Sequence, residues 1–199
     1  MSDTQKTQSR LQRGQAVPKL IGNPDDFLIV TGLAGPAKDI GAMVGDAPNT
    51  FQFAGAMGGA VATALGLALA QPTKRVLCVT GDGDLLMSMG SLAMVGALKP
   101  SNLSVICVDN ALYQETGGQP SHTSMGVDLA TIASGSGFPV TRDVSTMEEL
   151  DEAASVLRNT NSTAFVLLRV DASESPKNKR NLHAAETKVA FRKALLGTR

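Results

Sequence analysis

The sequence predicts an α/β protein with three layers, in which a mostly parallel sheet lies between two layers of helices. Short apolar runs alternate along the chain with longer segments that have helical spacing. The strand-like runs are almost continuously apolar, as is typical of parallel strands that helices cover on both faces. Charge is balanced, with 18 basic and 18 acidic residues, which predicts neither nucleic-acid nor membrane-surface binding.

The predicted organisation is an amino-terminal segment followed by one domain. Residues 1–22 contain a polar segment and a short helix over 11–21, and residues 23–199 form the domain. A chain of 199 residues is long enough for one hydrophobic core of ordinary size. The first 15 residues are polar and contain no apolar signal segment, so the cytoplasm is the expected location.

Five apolar runs are predicted to be strands, because Val, Ile, Leu, Phe and Cys fill them and turn residues bound them. The segment Thr50–Phe53 is expected to be short and extended. The predicted strands are 27–31, 75–79, 103–108, 138–141 and 163–170.

Helical spacing and end signals predict the helices that alternate with these strands. Pro36 suits a first helical turn, and Ser145 with Glu148 is expected to form a capping box. Ala62, Gly66 and Ala70 follow one another at four-residue spacing, which indicates a central, closely packed helix. The predicted helices are 36–44, 59–70, 85–98, 127–135, 145–159 and 184–196.

The uncharged stretch Phe53–Ala70 is 18 residues long, which is enough to consider a membrane helix. Gly and Ala dominate it rather than Leu and Ile, and three glycines weaken its first half as a helix. A buried helix of an α/β domain explains the same pattern. We therefore expect no membrane-spanning segment.

A glycine-flanked acidic turn follows one predicted strand, and the polar pair Asp109-Asn110 follows the next predicted strand. Asp82 lies in the turn, and Asn110 follows the strand 103–108. Parallel sheets bind ligands at the carboxyl ends of their strands. Carboxylate and amide oxygens there suit Mg²⁺, which prefers oxygen ligands and often carries a phosphate. An ordinary strand–helix turn explains Gly-Asp-Gly equally well, but it does not explain the position of Asn110.

Gly81-Asp82-Gly83, followed by Asn110 after 26 residues, resembles the diphosphate-binding motif of thiamine diphosphate enzymes. The segments 55–58, 64–70 and 117–120 resemble one branch of that family, the phosphonopyruvate and sulfopyruvate decarboxylases. The resemblance implies the fold of their diphosphate-binding (PP) domain. It also implies decarboxylation of a small 2-oxoacid, with thiamine diphosphate as electron sink and Mg²⁺ as second cofactor.

The resemblance assigns roles to individual positions. It implies that Asp82 and Asn110 bind the metal through their side chains, and that Leu112 binds it through its carbonyl. Gly55 would accept a hydrogen bond from the cofactor's 4'-amino group, and Met57 would support the bent cofactor. The other implied cofactor contacts are Thr31, Gly32, Leu33, Ala34, Gly81, Gly83, Asp84 and Tyr113.

Two of these contacts are open to other interpretations. Asp84 stands where many relatives carry Ser or Ala, and a carboxylate beside a diphosphate is unfavourable unless it faces away. Tyr113, the single tyrosine, either packs over the cofactor or anchors the loop.

Residues 111–126 form a long stretch without clear periodicity, and such loops in compact domains are commonly functional. Glu115 and His122 lie in it and are candidate acid–base residues, although both are equally compatible with solvated loop positions.

The catalytic glutamate of this family belongs to a second (PYR) domain, for which a single-sheet chain has no room. The resemblance therefore implies a PYR-domain α subunit as partner, in an α2β2 or larger hetero-oligomer. One alternative is a carboligase that resembles acetolactate synthase, which shares the cofactor site. Another is a non-catalytic nucleotide-binding domain, against which the missing Walker lysine argues. A 2-oxoacid:ferredoxin oxidoreductase subunit is disfavoured, because Cys78 and Cys107 cannot hold a cluster.

Overall fold

The computed structural model describes residues 10–53, 55–159, 161–177, 179 and 181–197. The first nine residues of the predicted amino-terminal segment lie outside this part. The helices are α1 Arg13–Ile21, α2 Gly35–Val44, α3 Ala60–Ala70, α4 Asp82–Leu86, α5 Gly90–Leu98, α6 Leu129–Gly135, α7 Met147–Arg158 and α8 Ala184–Leu196. The strands are β1 Leu28–Thr31, β2 Thr50–Gln52, β3 Val76–Gly81, β4 Leu103–Asp109, β5 Leu112–Tyr113, β6 Gln119–Pro120, β7 Val140–Val144 and β8 Ala164–Arg169.

The main sheet is parallel throughout, which confirms the predicted α/β class. In the described residues its six strands follow the order β2-β1-β3-β4-β8-β7. β3 and β4 lie at its centre, with Gly81 opposite Val108. Asp82 and Asn110 therefore leave adjacent strands at the same edge of the sheet, as the sequence predicts.

Two hydrophobic clusters, one on each face of the sheet, produce the three layers. α3, α5 and α6 pack on one face, and α1, α2 and α7 pack on the other. Alternation along β3 makes both clusters possible: Cys78 points into the first, whereas Leu77 and Val79 point into the second. Because α1 contributes several fully buried side chains, it is part of the domain core.

Three local predictions were wrong in detail. The helix predicted over 85–98 is two helices, α4 and α5, because residues Met87–Met89 form a tight turn between them. The capping box of α7 is Thr146 with Glu149, one residue later than predicted. Residues 111–126 contain an antiparallel hairpin of β5 and β6, so this stretch is more regular than expected.

The small-residue face of α3 does not pack inside this chain. Ala62, Gly66 and Ala70 are exposed, because the opposite face of the helix, which includes Ala64 and Ala68, packs on the sheet. The helix itself is central, as predicted, because it packs on β1, β3 and β4, but it does so through the face opposite to the predicted one. Within the described residues, no helix is long and apolar enough to cross a membrane.

A buried ion pair joins α1 to α2 near the edge of the sheet where β1, β3 and β4 end. Arg13 Nη2 lies 2.6 Å from Asp39 Oδ2, and Arg13 Nε lies 3.0 Å from both carboxylate oxygens. The two side chains are 2% and 3% exposed. A side chain at Gly35 would collide with the guanidinium, since a Cβ there would lie 2.2 Å from Arg13 Nη2. The pair therefore fixes the start of α2 against α1.

Asp39→Ala is expected to lower the free energy of unfolding by about 3–5 kcal/mol, because it leaves the buried Arg13 charge without a partner. Denaturant unfolding measures the change. Glu152→Ala is the matched control, because it removes an exposed partner of Arg142 and should cost less than about 1 kcal/mol. Equal effects of the two substitutions would contradict the structural role of the buried pair.

Candidate active site

The candidate site is a cavity of about 540 Å³ at the carboxyl ends of β1, β3 and β4. The β1–α2 loop, the β3–α4 turn and the hairpin line it, together with the connector around Glu174. Cavities of this size suit small molecules and cofactors. The location agrees with the switch-point rule for parallel sheets.

The cavity brings together most of the residues that the sequence identifies. Thr31 and Gly32 are buried behind its wall, whereas Gly55 and His122 are exposed and do not belong to the lining. The predicted residues that line it are Leu33, Ala34, Met57, Gly81, Asp82, Gly83, Asp84, Asn110, Leu112, Tyr113 and Glu115.

Asp82 is a buried carboxylate in the cavity wall. Its side chain accepts a short hydrogen bond from the Ser121 hydroxyl, and the Thr123 hydroxyl lies 3.4 Å from the same oxygen. Burial is the main reason that the pKa of Asp82 rises to about 6, and the nearby Asp109 charge adds to this shift. The carboxylate is therefore poised to gain from a bound cation.

Asp109 is a buried carboxylate beside the site that the sequence prediction did not include among the site residues. It is fully buried; its Oδ1 accepts from the Ala111 amide at 2.9 Å and from Thr123 Oγ1 at 2.8 Å. Its other oxygen lies 3.5 Å from Arg169, which also binds Asp143 at 2.7 Å. Its position at the end of a buried strand, beside Asn110, was the signal available in the sequence.

Asn110 orients the chain that follows β4. Its Oδ1 accepts from the Leu112 amide at 3.1 Å, and its Nδ2 donates to Gln114 at 3.0 Å. Gln114 in turn donates to the carbonyls of Ala172 and Ser173. Asn110 and Leu112 thus both face the cavity that contains Asp82.

The structure supplies the role of Asp84 that the sequence left open. Its Oδ1 accepts from the Gly58 amide at 2.5 Å, and its Oδ2 accepts from the Thr80 hydroxyl at 2.7 Å. Gly32 makes room for the carboxylate, since a Cβ there would lie 1.8 Å from Asp84 Oδ2. Asp84 therefore ties the segment that carries Met57 to the β3–α4 turn.

Tyr113 packs directly on the glycine of the acidic turn. A Cβ on Gly83 would lie 2.5 Å from Tyr113 Cε1, so only glycine fits beneath the ring. The phenol oxygen is 3.5 Å from His122 Nδ1, which places His122 behind the tyrosine. Of the two predicted roles for Tyr113, this contact supports loop anchoring on the turn itself.

Glu115 lies at the rim of the cavity and pairs with Lys38 of α2. The two charged atoms are 2.8 Å apart, and both side chains are partly exposed. Because Lys38 also lines the cavity, this ion pair bridges the hairpin and α2 across the opening.

The charges of the site suit a cation with oxygen ligands. Burial, followed by the charges of Asp82, Asp109 and Asp84, raises the pKa of the Cys107 thiol, so three carboxylates contribute negative charge to this region. Among the described residues, one salt bridge, from Arg169 to Asp109, reaches these three carboxylates. The same residues hold no group of three or more His, Cys, Asp or Glu arranged for a metal. Asp82 with amide and carbonyl oxygens fits Mg²⁺ better than a softer metal.

Comparison with protein families identifies the same region. Residues 39–169 match the family model of the thiamine pyrophosphate enzymes, specifically their C-terminal TPP-binding domain. The matched segment contains β3, β4, the acidic turn and the hairpin.

Named relatives include decarboxylases of two kinds. The chain is 36% identical over 132 residues to the sulfopyruvate decarboxylase subunit beta of Methanothermobacter thermautotrophicus, which covers 66% of this chain and 70% of that protein. It is 32% identical over 166 residues to the phosphonopyruvate decarboxylase of Streptomyces viridochromogenes, and covers 41% of that longer protein.

A solved structure with a similar fold is a thiamin diphosphate-dependent enzyme from Mycobacterium smegmatis, described as putative. Its TM-score is 0.68 at 19% identity, over 82% of this chain and 32% of that chain. At this identity the likeness shows the fold.

In the metal-free protein, the raised pKa of Asp82 should lower the free energy of unfolding as pH rises. Its native pKa of about 6 exceeds the ordinary value of 3.8, so protonation favours the folded state, and this stabilisation is lost as pH rises through 6. The free energy of unfolding of Asp82→Asn, relative to that of wild type, should therefore rise by about 2–3 kcal/mol between pH 4 and pH 7.5. Urea unfolding in the presence of EDTA measures this difference.

Asp171→Asn is the control with the opposite sign. At Asp171, burial acts to raise the pKa, but hydrogen bonds from Ser173 and Arg13 outweigh it, and the pKa is lowered. This variant should lose stability relative to wild type as pH rises toward the ordinary value of 3.8, and the difference should stay nearly constant at higher pH, instead of growing as it does for Asp82→Asn. The same trend in both variants would contradict the electrostatic account of Asp82.

Proposed function

The chain belongs to the thiamine pyrophosphate enzymes, as a C-terminal TPP-binding domain, and on this premise we propose that it is the PP subunit of a 2-oxoacid decarboxylase. The substrate class we propose is that of sulfopyruvate and phosphonopyruvate, small oxoacids with an anionic tail. The observation that carries the proposal is the pairing of Asp82 and Asn110 on adjacent strand ends in one cavity. Residues 23–199 would act as the PP domain, with α1 packed on it.

Within this site we assign Asp82, Asn110 and the Leu112 carbonyl to Mg²⁺. Leu33, Ala34, Gly81 and Gly83, with Thr31 and Gly32 behind them, would enclose the diphosphate. Thiamine diphosphate, when bound, supplies the electron sink that decarboxylation of a 2-oxoacid requires. The residues of this chain would bind and orient it, and Tyr113 would keep the hairpin against the acidic turn.

Met57 is the residue that we propose to contact the cofactor from the apolar part of the cavity wall. It lines the cavity, and the hydrogen bond from Gly58 to Asp84 holds its segment in place. We propose that Met57 supports the cofactor from below, and that the nearby Gly55 carbonyl accepts from its amino group. Asp84 would act through this segment instead of through the diphosphate.

Glu115 is the acid–base candidate of this chain that lines the cavity. Its contact with Lys38 keeps it at the rim, where a substrate would enter. His122 would act indirectly, by placing the Tyr113 phenol. The main proton-transfer glutamate would belong to the partner subunit.

An exposed apolar surface supports the proposed partner. We define the α3/α5 face by the exposed residues of α3, of α5 and of the turn before α5: Leu69, Met87, Met89, Met94 and Leu98, with the small residues of α3. It approaches the cavity wall where Gly58, next to Met57, lies against Met87. Exposed apolar surface of this kind is typical of subunit interfaces. We propose that a PYR-domain subunit covers it, in an α2β2 or larger assembly.

The decarboxylase proposal is tested with the chain and its partner subunit, reconstituted with thiamine diphosphate and Mg²⁺. Sulfopyruvate or phosphonopyruvate should release CO₂, and the chain alone should be inactive. Asp82→Ala should lower activity at least about 100-fold and abolish cofactor binding by calorimetry, because it removes the anionic metal ligand. Exposed Asp151→Ala is the control and should behave as wild type.

Two outcomes would contradict the proposal. If the reconstituted complex releases no CO₂ from any three-carbon oxoacid with an anionic tail, the proposed substrate class is wrong. A hydroxyketone product instead of an aldehyde would identify a carboligase.

Met94→Glu should weaken association with the partner at least about tenfold, because it places a charge on the apolar α3/α5 face. Met147→Glu is the matched control, since it changes an exposed methionine on α7, in the opposite layer. Analytical ultracentrifugation of the mixed subunits measures both. Equal association of the two variants would rule out the α3/α5 face as the interface.

A further inference from the structure

Two buried hydroxyl groups connect the base of the cavity hairpin to Asp82, and neither belongs to the motifs that identify the site. Ser121 is fully buried, and Thr123 is 8% exposed. Ser121 donates to Asp82 Oδ2, and Thr123 donates to Asp109 Oδ1 at 2.8 Å. The two hydroxyl oxygens lie 2.9 Å apart. One continuous buried chain of oxygens thus links Asp82 to Asp109.

The same residues close the hairpin. The Ser121 amide donates to the Ala111 carbonyl at 2.9 Å, and the Ala111 amide donates to Asp109 Oδ1 at 2.9 Å. The loop that begins after Asp109 and ends at Ser121 is therefore pinned at both ends to the two carboxylates. Between these ends the hairpin places Leu112, Tyr113 and Glu115 in the cavity wall.

Asp82 has few other means of orientation. It comes immediately after β3 and begins the short helix α4. Its hydrogen bond from Ser121, with Thr123 3.4 Å from the same atom, fixes one carboxylate oxygen of a residue that lines the cavity. Hydrogen bonds from neighbouring groups of this kind orient metal-binding carboxylates in proteins, and their loss commonly weakens metal binding about 10–100-fold.

From this geometry we infer that Ser121 and Thr123 are positioning residues for Asp82, and that they couple closure of the hairpin to cation binding. The inference rests on the proposed function, because it takes Asp82 as the metal ligand. When the cation binds Asp82, the fixed carboxylate holds Ser121 and with it the base of the hairpin. When the hairpin opens, Asp82 loses its orientation and the cation is released more readily.

The test uses the full chain in complex with its partner, thiamine diphosphate, and Mn²⁺ as a paramagnetic probe of the Mg²⁺ site. Electron paramagnetic resonance measures the Mn²⁺ dissociation constant. Ser121→Ala and Thr123→Val should each weaken Mn²⁺ binding about tenfold or more. Thr123→Ser, which keeps the hydroxyl, should restore most of the affinity.

Thr131→Val is the matched control. Thr131 also donates its hydroxyl to an aspartate, Asp128, at 2.9 Å, but on α6 and outside the cavity lining. This variant should bind Mn²⁺ as wild type does, even if its stability falls by a similar amount.

Hydrogen exchange of the hairpin is the second readout. In wild type, Mn²⁺ with thiamine diphosphate should slow exchange of the amides in residues 112–120, and in Ser121→Ala this protection should be reduced at saturating Mn²⁺. If Ser121→Ala and Thr123→Val bind Mn²⁺ as wild type does, and their hairpin amides are fully protected from exchange, the coupling between hairpin closure and cation binding is wrong. The proposed function would remain intact. A wild-type complex that binds no Mn²⁺ would overturn both.

Discussion

The parallel pairing of β3 with β4 is the constraint on which the site depends. Because Gly81 lies opposite Val108, the chain must place Asp82 beside Asp109 and Asn110. Both strands are buried, so these side chains cannot be hydrated freely and must be satisfied by protein or ligand. The hydroxyls of Ser121 and Thr123, the Arg169 guanidinium and the amides of the following loop meet part of that need.

This arrangement concentrates negative charge where a phosphate-bearing cofactor is proposed to bind. The raised pKa of Asp82 shows that the protein alone does not stabilise its carboxylate fully. A divalent cation would favour the ionised form and link it to a diphosphate. Asp84 would avoid conflict with that anion, because its carboxylate accepts hydrogen bonds from the Gly58 amide and the Thr80 hydroxyl.

The cavity wall and the apolar surface of the chain meet at Met57. Met57 belongs to both surfaces: it lines the cavity and is 41% exposed. A partner that covers the face would therefore also close the cavity. The shared residue would give a physical reason for a site completed by a second chain; the relative from Methanothermobacter thermautotrophicus is itself named a subunit beta.

The sequence by itself determined the α/β class, the central strands and the pairing of Asp82 with Asn110, because buried parallel strands and glycine-flanked turns leave strong local patterns. Tertiary structure decided what depends on distant contacts. Ser121 lies 39 residues from Asp82, so no spacing rule could join them. The turn after α4 lies against Gly58, and the hairpin lies against the acidic turn through Tyr113 and Gly83. The hydrogen bond from the Gly58 amide orients Asp84. All of these contacts join distant parts of the sequence. The small residues of α3 predicted a closely packed helix but not which face packs in this chain, because such residues suit close packing whether the neighbour belongs to the same chain or to another.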